Sequence, residues 1–468
     1  MKPFYSKYLI AILLIFLLVL FTGFSISIQN RKTGSDLKSV DKIKKTGVLR
    51  LITNTGTNSY YYYNGEPTGF EYELAKAFAD YLNVDLNVVA PGWNNMFSYL
   101  EDGKGDFIAA GLTITRPRLE DLIFSIPYMT IQQHIVHHKN VFSPKNISDL
   151  AHRTIHVRRG TSYHSRLEDI KNSGIDFKYV LHNNISTHEL IRMVQNREIR
   201  FTVADSNIAF LNQRYFPDIR VGIPVQEKES LAWAVKKDDY EMLKMINSFF
   251  LHAIETGKLK QLQEKYYANI EDADLFDIKL FHQRVRTRLP RYKKTIVEES
   301  LKYGFDWRLV AAVIYQESHF DPAARSFTNV RGLMQVTTVT AEEMGINDRL
   351  NPEQSIQAGI KYLDKMIKNF EYLDNDYEKM VFALASYNVG YGHVLDAIHI
   401  AKEKGLDETK WQNLKTVLPL LSKSQYYQNA KHGYARGWEP VIYVDRVLTY
   451  FDILKQKKWS DTPIPVSQ

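Results

Sequence analysis

A chain of 468 residues, 44% hydrophobic and 24% charged, is too long for one core and too apolar for disorder, so two folded domains of about 200 residues each are expected. Its net charge of +7 and pI near 9.0 suit an anionic partner such as a wall polymer or a membrane surface; the cations are scattered, so no nucleic-acid partner is expected. Cysteine is absent, which excludes disulfides, thiol catalysis, thiolate metal sites and a lipidated N-terminal cysteine.

Lys2 and Lys7 precede an unbroken apolar run from Leu9 to Phe21, and no charge follows until Arg31. A basic start followed by a segment with no polar face reads as an export signal over residues 1–30. The small residues between Thr22 and Ser27 offer a peptidase site, while the uncharged stretch is about long enough to span a bilayer, so a cleaved signal peptide and a membrane anchor both stay open. The remainder is expected on the periplasmic side of the cell envelope.

From about residue 41 to 267, short apolar strands alternate with amphipathic helices: 48–53 reads as a strand, 70–82 as a helix and 86–90 as the next strand. Such alternation implies βαβ units around a mostly parallel sheet, whose ligands bind at the carboxyl ends of the strands. From about residue 269 the rhythm changes to helices joined by loops. Ile356, Ile360, Leu363, Ile367 and Phe370 form one apolar stripe, and 377–387 reads as another helix. The acidic stretch 271–274 and the basic run 284–294 mark the boundary region. The domains are therefore read as 31–268 and 269–468.

One carboxylate stands out in the second half. Val310, Val313 and Ile314 lie seven, four and three residues before Glu317, so a helix here puts Glu317 on the inward face. Desolvation should raise its pKa toward neutrality, as a general acid on a glycosidic bond requires. Asp321 is the nearest other acid, and Pro322 behind it favours a turn or capping role.

Gly69-Phe-Glu-Tyr-Glu-Leu-Ala75, Gly111-Leu-Thr-Ile-Thr-Arg-Pro-Arg118, Phe124-Ser-Ile-Pro-Tyr128, Arg159-Gly-Thr-Ser162 and Val203-Ala-Asp-Ser206 occur in that order in the first half. Together they resemble the periplasmic solute-binding proteins of the polar amino-acid type (family 3). The resemblance implies a bilobed α/β domain in which Thr113 and Arg118 hold a ligand carboxylate, Thr161 and Ser162 add donors, and Asp205 takes the ligand's amino group. Those chemistries fit: a guanidinium fork matches a carboxylate, and a helix opening at a Gly-Thr-Ser turn presents N–H groups to an anion. An amino acid or muropeptide is the expected ligand. The tyrosine run 60–63 is a further candidate for lining the cleft.

Glu317-Ser318 is followed by Arg331-Gly-Leu-Met-Gln-Val336, by Ala385-Ser-Tyr-Asn-Val-Gly390 and by Gly433-Tyr-Ala-Arg-Gly-Trp-Glu-Pro-Val-Ile-Tyr-Val444. Over about residues 301–451 these fragments resemble the mainly α, lysozyme-like domain of the soluble-type lytic transglycosylases. With the solute-binding half in front, the chain resembles the membrane-bound lytic murein transglycosylases. That resemblance implies non-hydrolytic cleavage of the β-1,4 bond between N-acetylmuramic acid and N-acetylglucosamine in peptidoglycan, leaving 1,6-anhydro ends. It makes Glu317 the catalytic acid and base, with Ser318, Gln335, Tyr387, Asn388 and Tyr443 around it. It also implies peripheral attachment to the inner leaflet of the outer membrane, although the N-terminus leaves inner-membrane anchoring open. No cofactor or metal is expected. The competing readings are an envelope amino-acid or peptide sensor with an inactive wall-binding domain, and a hydrolytic muramidase.

Overall fold

The computed structural model describes residues 39–56, 58–63, 66–267, 274–326, 330–457 and 459. The segment read as an export signal and the 268/269 boundary lie outside them. Among the described residues, no helix is long and apolar enough to cross a membrane.

The chain forms two compact units. Among the described residues, the first combines 39–55, 71–129 and 230–256 around a five-stranded sheet in the order Asp85–Val89, Val48–Ile52, Phe107–Ile108, Ala234–Lys236, Leu122–Phe124. The first three strands run parallel, and Ala234–Lys236 is antiparallel to both of its neighbours. The helix Phe70–Leu82 buries Leu74, Ala75, Phe78 and Ala79, the i, i+4 stripe that its sequence predicts. Asp239 caps Tyr240–Glu255 by accepting from the Met242 N–H at 3.1 Å, and that helix packs Phe249 and Phe250 against Trp233.

The second unit combines the described residues within 56–70, 130–229 and 257–459. Its sheet has the order Lys178–His182, Thr154–Arg158, Phe201–Asp205, Gln133–His138, Ile219–Pro224. Here too the first three strands are parallel, while Gln133–His138 pairs antiparallel on both sides. The mostly parallel sheet expected from the sequence is found as two sheets, in each of which one strand runs against the other four. Each has a returning strand, and the βαβ rhythm of the sequence carries no signal for a strand that comes back from a distant segment.

The rest of the second unit is helical. Its centre is Trp307–Ser318, in which the seven consecutive residues Leu309 to Tyr315 are all buried. A helix apolar on every side must be surrounded, and Trp438–Gln456 on one side and Lys293–Lys302 on another surround this one. Asp306 caps its start by accepting from the Arg308 N–H at 2.9 Å. Beyond it, Pro352–Lys368 and Asp376–Val389 begin at Asn351 and Asn375, whose side chains each accept from two backbone N–H groups. The predicted stripe of Ile356, Ile360, Leu363 and Phe370 is buried, with Ile367 half-buried against it.

Candidate active site

Glu317 sits in the last turn of Trp307–Ser318, where His319 ends the helix in the left-handed conformation (φ 52°). Phe320 (φ 56°) continues the turn and is buried, so two consecutive non-glycine residues hold positive φ directly behind the carboxylate. Such conformations persist only where packing enforces them. The half-buried Glu317 side chain meets Tyr443 from Trp438–Gln456, whose hydroxyl donates to Oε1 at 2.6 Å. Burial pushes the Glu317 pKa up to about 7, and the Tyr443 hydrogen bond pulls the other way. Tyr443 itself is raised well above its ordinary range, by burial first and then by the Glu317 charge, so it stays a neutral donor.

The loop from Arg331 to Val336 forms a second wall. Gly332 (φ 95°) cannot carry a side chain, because a Cβ there would lie 2.3 Å from the Arg349 carbonyl oxygen. Met334 docks on Gly359 of Pro352–Lys368, where a Cβ would lie 2.4 Å from its sulfur, and its N–H donates to Ser355 Oγ at 3.2 Å. The Tyr387 hydroxyl, from Asp376–Val389, donates to the Met334 carbonyl at 2.8 Å. Burial raises the Tyr387 pKa well above its ordinary range, and the charge on Glu317 raises it further. Gly359 and Ser355 from one helix and Tyr387 from another thus fix one loop.

Gln335 also holds positive φ (47°), and its amide nitrogen donates to the carbonyls of Gly332 at 2.7 Å and Ala324 at 3.1 Å. Ser318 is buried and its hydroxyl donates to the Ile314 carbonyl at 3.0 Å, so that group is committed to its own helix. Asn388 is exposed in the last turn of Asp376–Val389. Asp321 has the turn role its proline suggests: Oδ1 accepts from the Ala323 N–H at 3.0 Å, and Oδ2 pairs with Arg288 at 3.2 Å.

The residues read as ligand contacts in the first half fall in both units. Arg118 and Thr113 belong to the first, where Arg118 Nη1 donates to the Thr113 carbonyl at 2.8 Å and the guanidinium lies 5.7 Å from the Phe97 ring centre. Thr161, Ser162 and Asp205 belong to the second. Thr161 occupies the position before Ser162–Asn172, where its hydroxyl donates to the Arg158 carbonyl at 2.7 Å rather than capping the helix, and Ser162 Oγ accepts from Gln133 Nε2 at 3.0 Å. Asp205 is buried at the end of Phe201–Asp205 and immediately precedes Ser206–Tyr215 without a side-chain cap to it, the strand-end position that such sheets use for ligands. Tyr61, from the tyrosine run, lines a cavity of about 280 Å3 with Tyr215, Tyr266, Trp411 and Asp452, all in the second unit.

Asp277 was not singled out by sequence. It lies next to the acidic stretch that marks the boundary, and its partners Tyr315 and Tyr450 are 38 and 173 residues away. Its place in the first turn of a helix opened by Asp274 is the one local signal available.

Two family models match: bacterial extracellular solute-binding proteins, family 3, over residues 49–269, and the transglycosylase SLT domain over residues 294–410. The chain is 50% identical over 422 residues to a membrane-bound lytic murein transglycosylase F of Desulfosudis oleivorans, covering 90% of this chain and 93% of that one. It is 39% identical over 418 residues to the protein of the same name from Stutzerimonas stutzeri, covering 89% and 86%. Among solved structures, a mutant of ArgBP from T. maritima is 30% identical, with a TM-score of 0.45 over 49% of this chain and 99% of that one.

Proposed function

Because the chain belongs to the membrane-bound lytic murein transglycosylase F family and so cleaves peptidoglycan as a lytic transglycosylase, we propose that Glu317 alone supplies its acid and base chemistry. The observation that carries this is the Glu317 carboxyl, half-buried, raised to about 7 and held by Tyr443 at 2.6 Å. A carboxyl titrating there is protonated often enough to donate and basic enough to accept.

In the first step Glu317 gives its proton to the glycosidic oxygen as the bond from that oxygen to the muramyl anomeric carbon breaks. Positive charge develops on the anomeric carbon and ring oxygen. Tyr443 donates to the carboxylate so formed. In the second step that carboxylate takes the proton of the same sugar's 6-hydroxyl while the 6-oxygen bonds to the anomeric carbon, closing the 1,6-anhydro ring. The proton returns to Glu317 and no water is consumed. Asp321, the nearest acid in sequence, is engaged by Arg288 and Ala323, which suits a route with one carboxylate.

Around this pair, Gln335, Tyr387, Asn388 and Tyr443 form the substrate-facing set, and Ser318 keeps the last helical turn in shape. Residues 31–268 form the binding module and 269–468 the catalytic one. Arg118, Thr113, Thr161, Ser162 and Asp205 receive a zwitterionic amino acid or muropeptide, whose binding modulates cleavage. The protein works on the periplasmic side of the envelope, with residues 1–30 as signal or anchor and the inner leaflet of the outer membrane as its site.

Mass analysis of sacculi digested by the residues after the export signal tests the reaction. Anhydro-muramyl products, lighter by one water than hydrolytic ones, are expected; reducing muramyl ends would overturn the non-hydrolytic route. Glu317→Gln should abolish cleavage and keep the fold, and substantial residual cleavage would remove Glu317 from its role.

A further inference from the structure

The helices that carry Glu317 and Tyr443 are joined a second time, away from the carboxyl. Tyr315 precedes Glu317 by two residues on Trp307–Ser318, and Tyr450 follows Tyr443 by seven on Trp438–Gln456, two turns along the same face. Both hydroxyls converge on one side chain: Tyr315 donates to Asp277 Oδ1 at 3.1 Å, and Tyr450 donates to Asp277 Oδ2. Their rings meet edge to face with centroids 4.7 Å apart, and Phe281, one turn after Asp277, packs on both at 4.6 and 4.7 Å.

Asp277 is suited to this place. It lies in the first turn of Leu275–Thr287, and its own N–H donates to the capping Asp274 carboxylate at 3.2 Å. Its side chain offers two acceptor oxygens to two hydroxyl donors. Tyr315 and Tyr450 are both almost wholly buried, so loss of the Asp277 carboxyl would take the side-chain acceptor from both and leave Tyr315 only the residue 277 carbonyl at 3.4 Å.

We propose that Asp277 is a positioning residue for the cleavage reaction: by bridging Tyr315 and Tyr450 it fixes the separation of Glu317 and Tyr443. The inference rests on Glu317 being the catalytic acid. A hydrogen bond between tyrosine and carboxylate stabilises the charged form only at short range. Slippage of one helix along the other would lengthen it and raise the Glu317 pKa, while substrate contacts made by other segments stay in place.

The test is a pH–rate profile of the full chain on soluble glycan strands released from sacculi. Asp277→Asn keeps the volume and one acceptor oxygen. It should lower kcat about tenfold, leave KM within about twofold and move the basic limb of the profile up by roughly half a pH unit. Tyr450→Phe should move the limb the same way, and it is the second probe if Asp277→Asn folds poorly. Tyr443→Phe removes the hydrogen bond directly, so combining it with Asp277→Asn should shift the limb no further than Tyr443→Phe alone. A purely structural role would lower Tm and leave the limb in place; an unmoved limb in both Asp277→Asn and Tyr450→Phe overturns the proposal. Glu317→Gln, assayed alongside, separates the two claims: activity there removes the acid assignment itself, whereas an inactive Glu317→Gln with an unmoved Asp277→Asn limb removes only the positioning role.

Discussion

His282 Nε2 donates to the carbonyl oxygen of Arg214 at 2.8 Å, tying the first helix of the catalytic half to the last turn of Ser206–Tyr215 in the binding half. Close by, the Tyr215 hydroxyl donates to Asp452 Oδ2 at 2.6 Å on Trp438–Gln456. Both contacts lie within the second unit, so part of the binding half and the catalytic half share one compact body.

This contact predicts a pH-dependent stability. Burial lowers the His282 pKa from 6.5 to about 4, outweighing the hydrogen bond to Arg214. A histidine lowered in the fold contributes stability that is present above about 6.5 and lost as pH falls toward 4, because the unfolded chain takes up the proton more readily. Tm should therefore drop between about pH 7 and pH 5, and His282→Gln, which cannot titrate, should flatten that drop. Identical pH dependence in the two proteins, followed by circular dichroism, would remove His282 as the cause.

Glu317 gives the opposite sign. Its pKa is raised from 4.5 to about 7, so the acid form that starts the reaction is present below 7 and disappears above it. The single-turnover rate on glycan strands should be flat or rising toward neutrality and fall by about tenfold per pH unit beyond the basic limb. For stability, the raised pKa means that folding pulls against the ionised carboxyl as pH climbs from 4.5 through 7. Glu317→Gln should accordingly raise Tm at about pH 8 by roughly 2–4 °C and change little at about pH 4. A variant that is destabilised at both pH values would show that the carboxyl is not held against its desolvation cost.

The two glycines that seat the 331–336 loop can be told apart from ordinary helix and turn glycines. Gly359 lies inside Pro352–Lys368, where alanine normally adds up to about 1 kcal/mol of helix stability. Here a Cβ would meet Met334 Sδ at 2.4 Å and its Cβ at 2.6 Å, so Gly359→Ala should destabilise and lower cleavage by displacing the 331–336 loop. Gly332→Ala should cost more, about 2–4 kcal/mol, since it combines positive φ with a clash against the rigid Arg349 carbonyl. Urea midpoints rank the pair, and a stabilised Gly359→Ala would show that the loop simply moves aside.

What the sequence disclosed and what it hid follow from the range of the interactions. The stripe before Glu317 is local, and its burial in the core could be read from Val310, Val313 and Ile314 alone. Helix caps at Asp306, Asn351 and Asn375 are equally local. For Tyr443 the sequence offers a place near Glu317 and not the hydrogen bond itself, because 126 residues separate the two. The commitment of the Ser318 hydroxyl to Ile314 depends on the rotamer. Asp277 needed three helices at once, and no spacing in the chain announces a convergence of that kind.

In the binding half the decisive residue should be Asp205. It is buried at the end of its strand, and a carboxylate there is desolvated already, so an arriving ammonium meets it without a competing shell of water. A charge-assisted hydrogen bond of this kind contributes about 1.5–3 kcal/mol, or roughly 10- to 100-fold in affinity. Calorimetry with free amino acids and with wall-derived peptides should therefore give binding that weakens by that factor in Asp205→Asn, while Arg118→Lys keeps the charge, loses the fork and weakens it less. The Tyr163 hydroxyl accepts from the Asp205 N–H at 3.3 Å and also bonds the Asp205 side chain, and it remains in place in the asparagine variant. Equal affinity in the native chain and Asp205→Asn would mean that the amino group is read elsewhere, and no heat with any of these ligands, together with unchanged cleavage after deletion of residues 41–267, would reduce the first half to a scaffold.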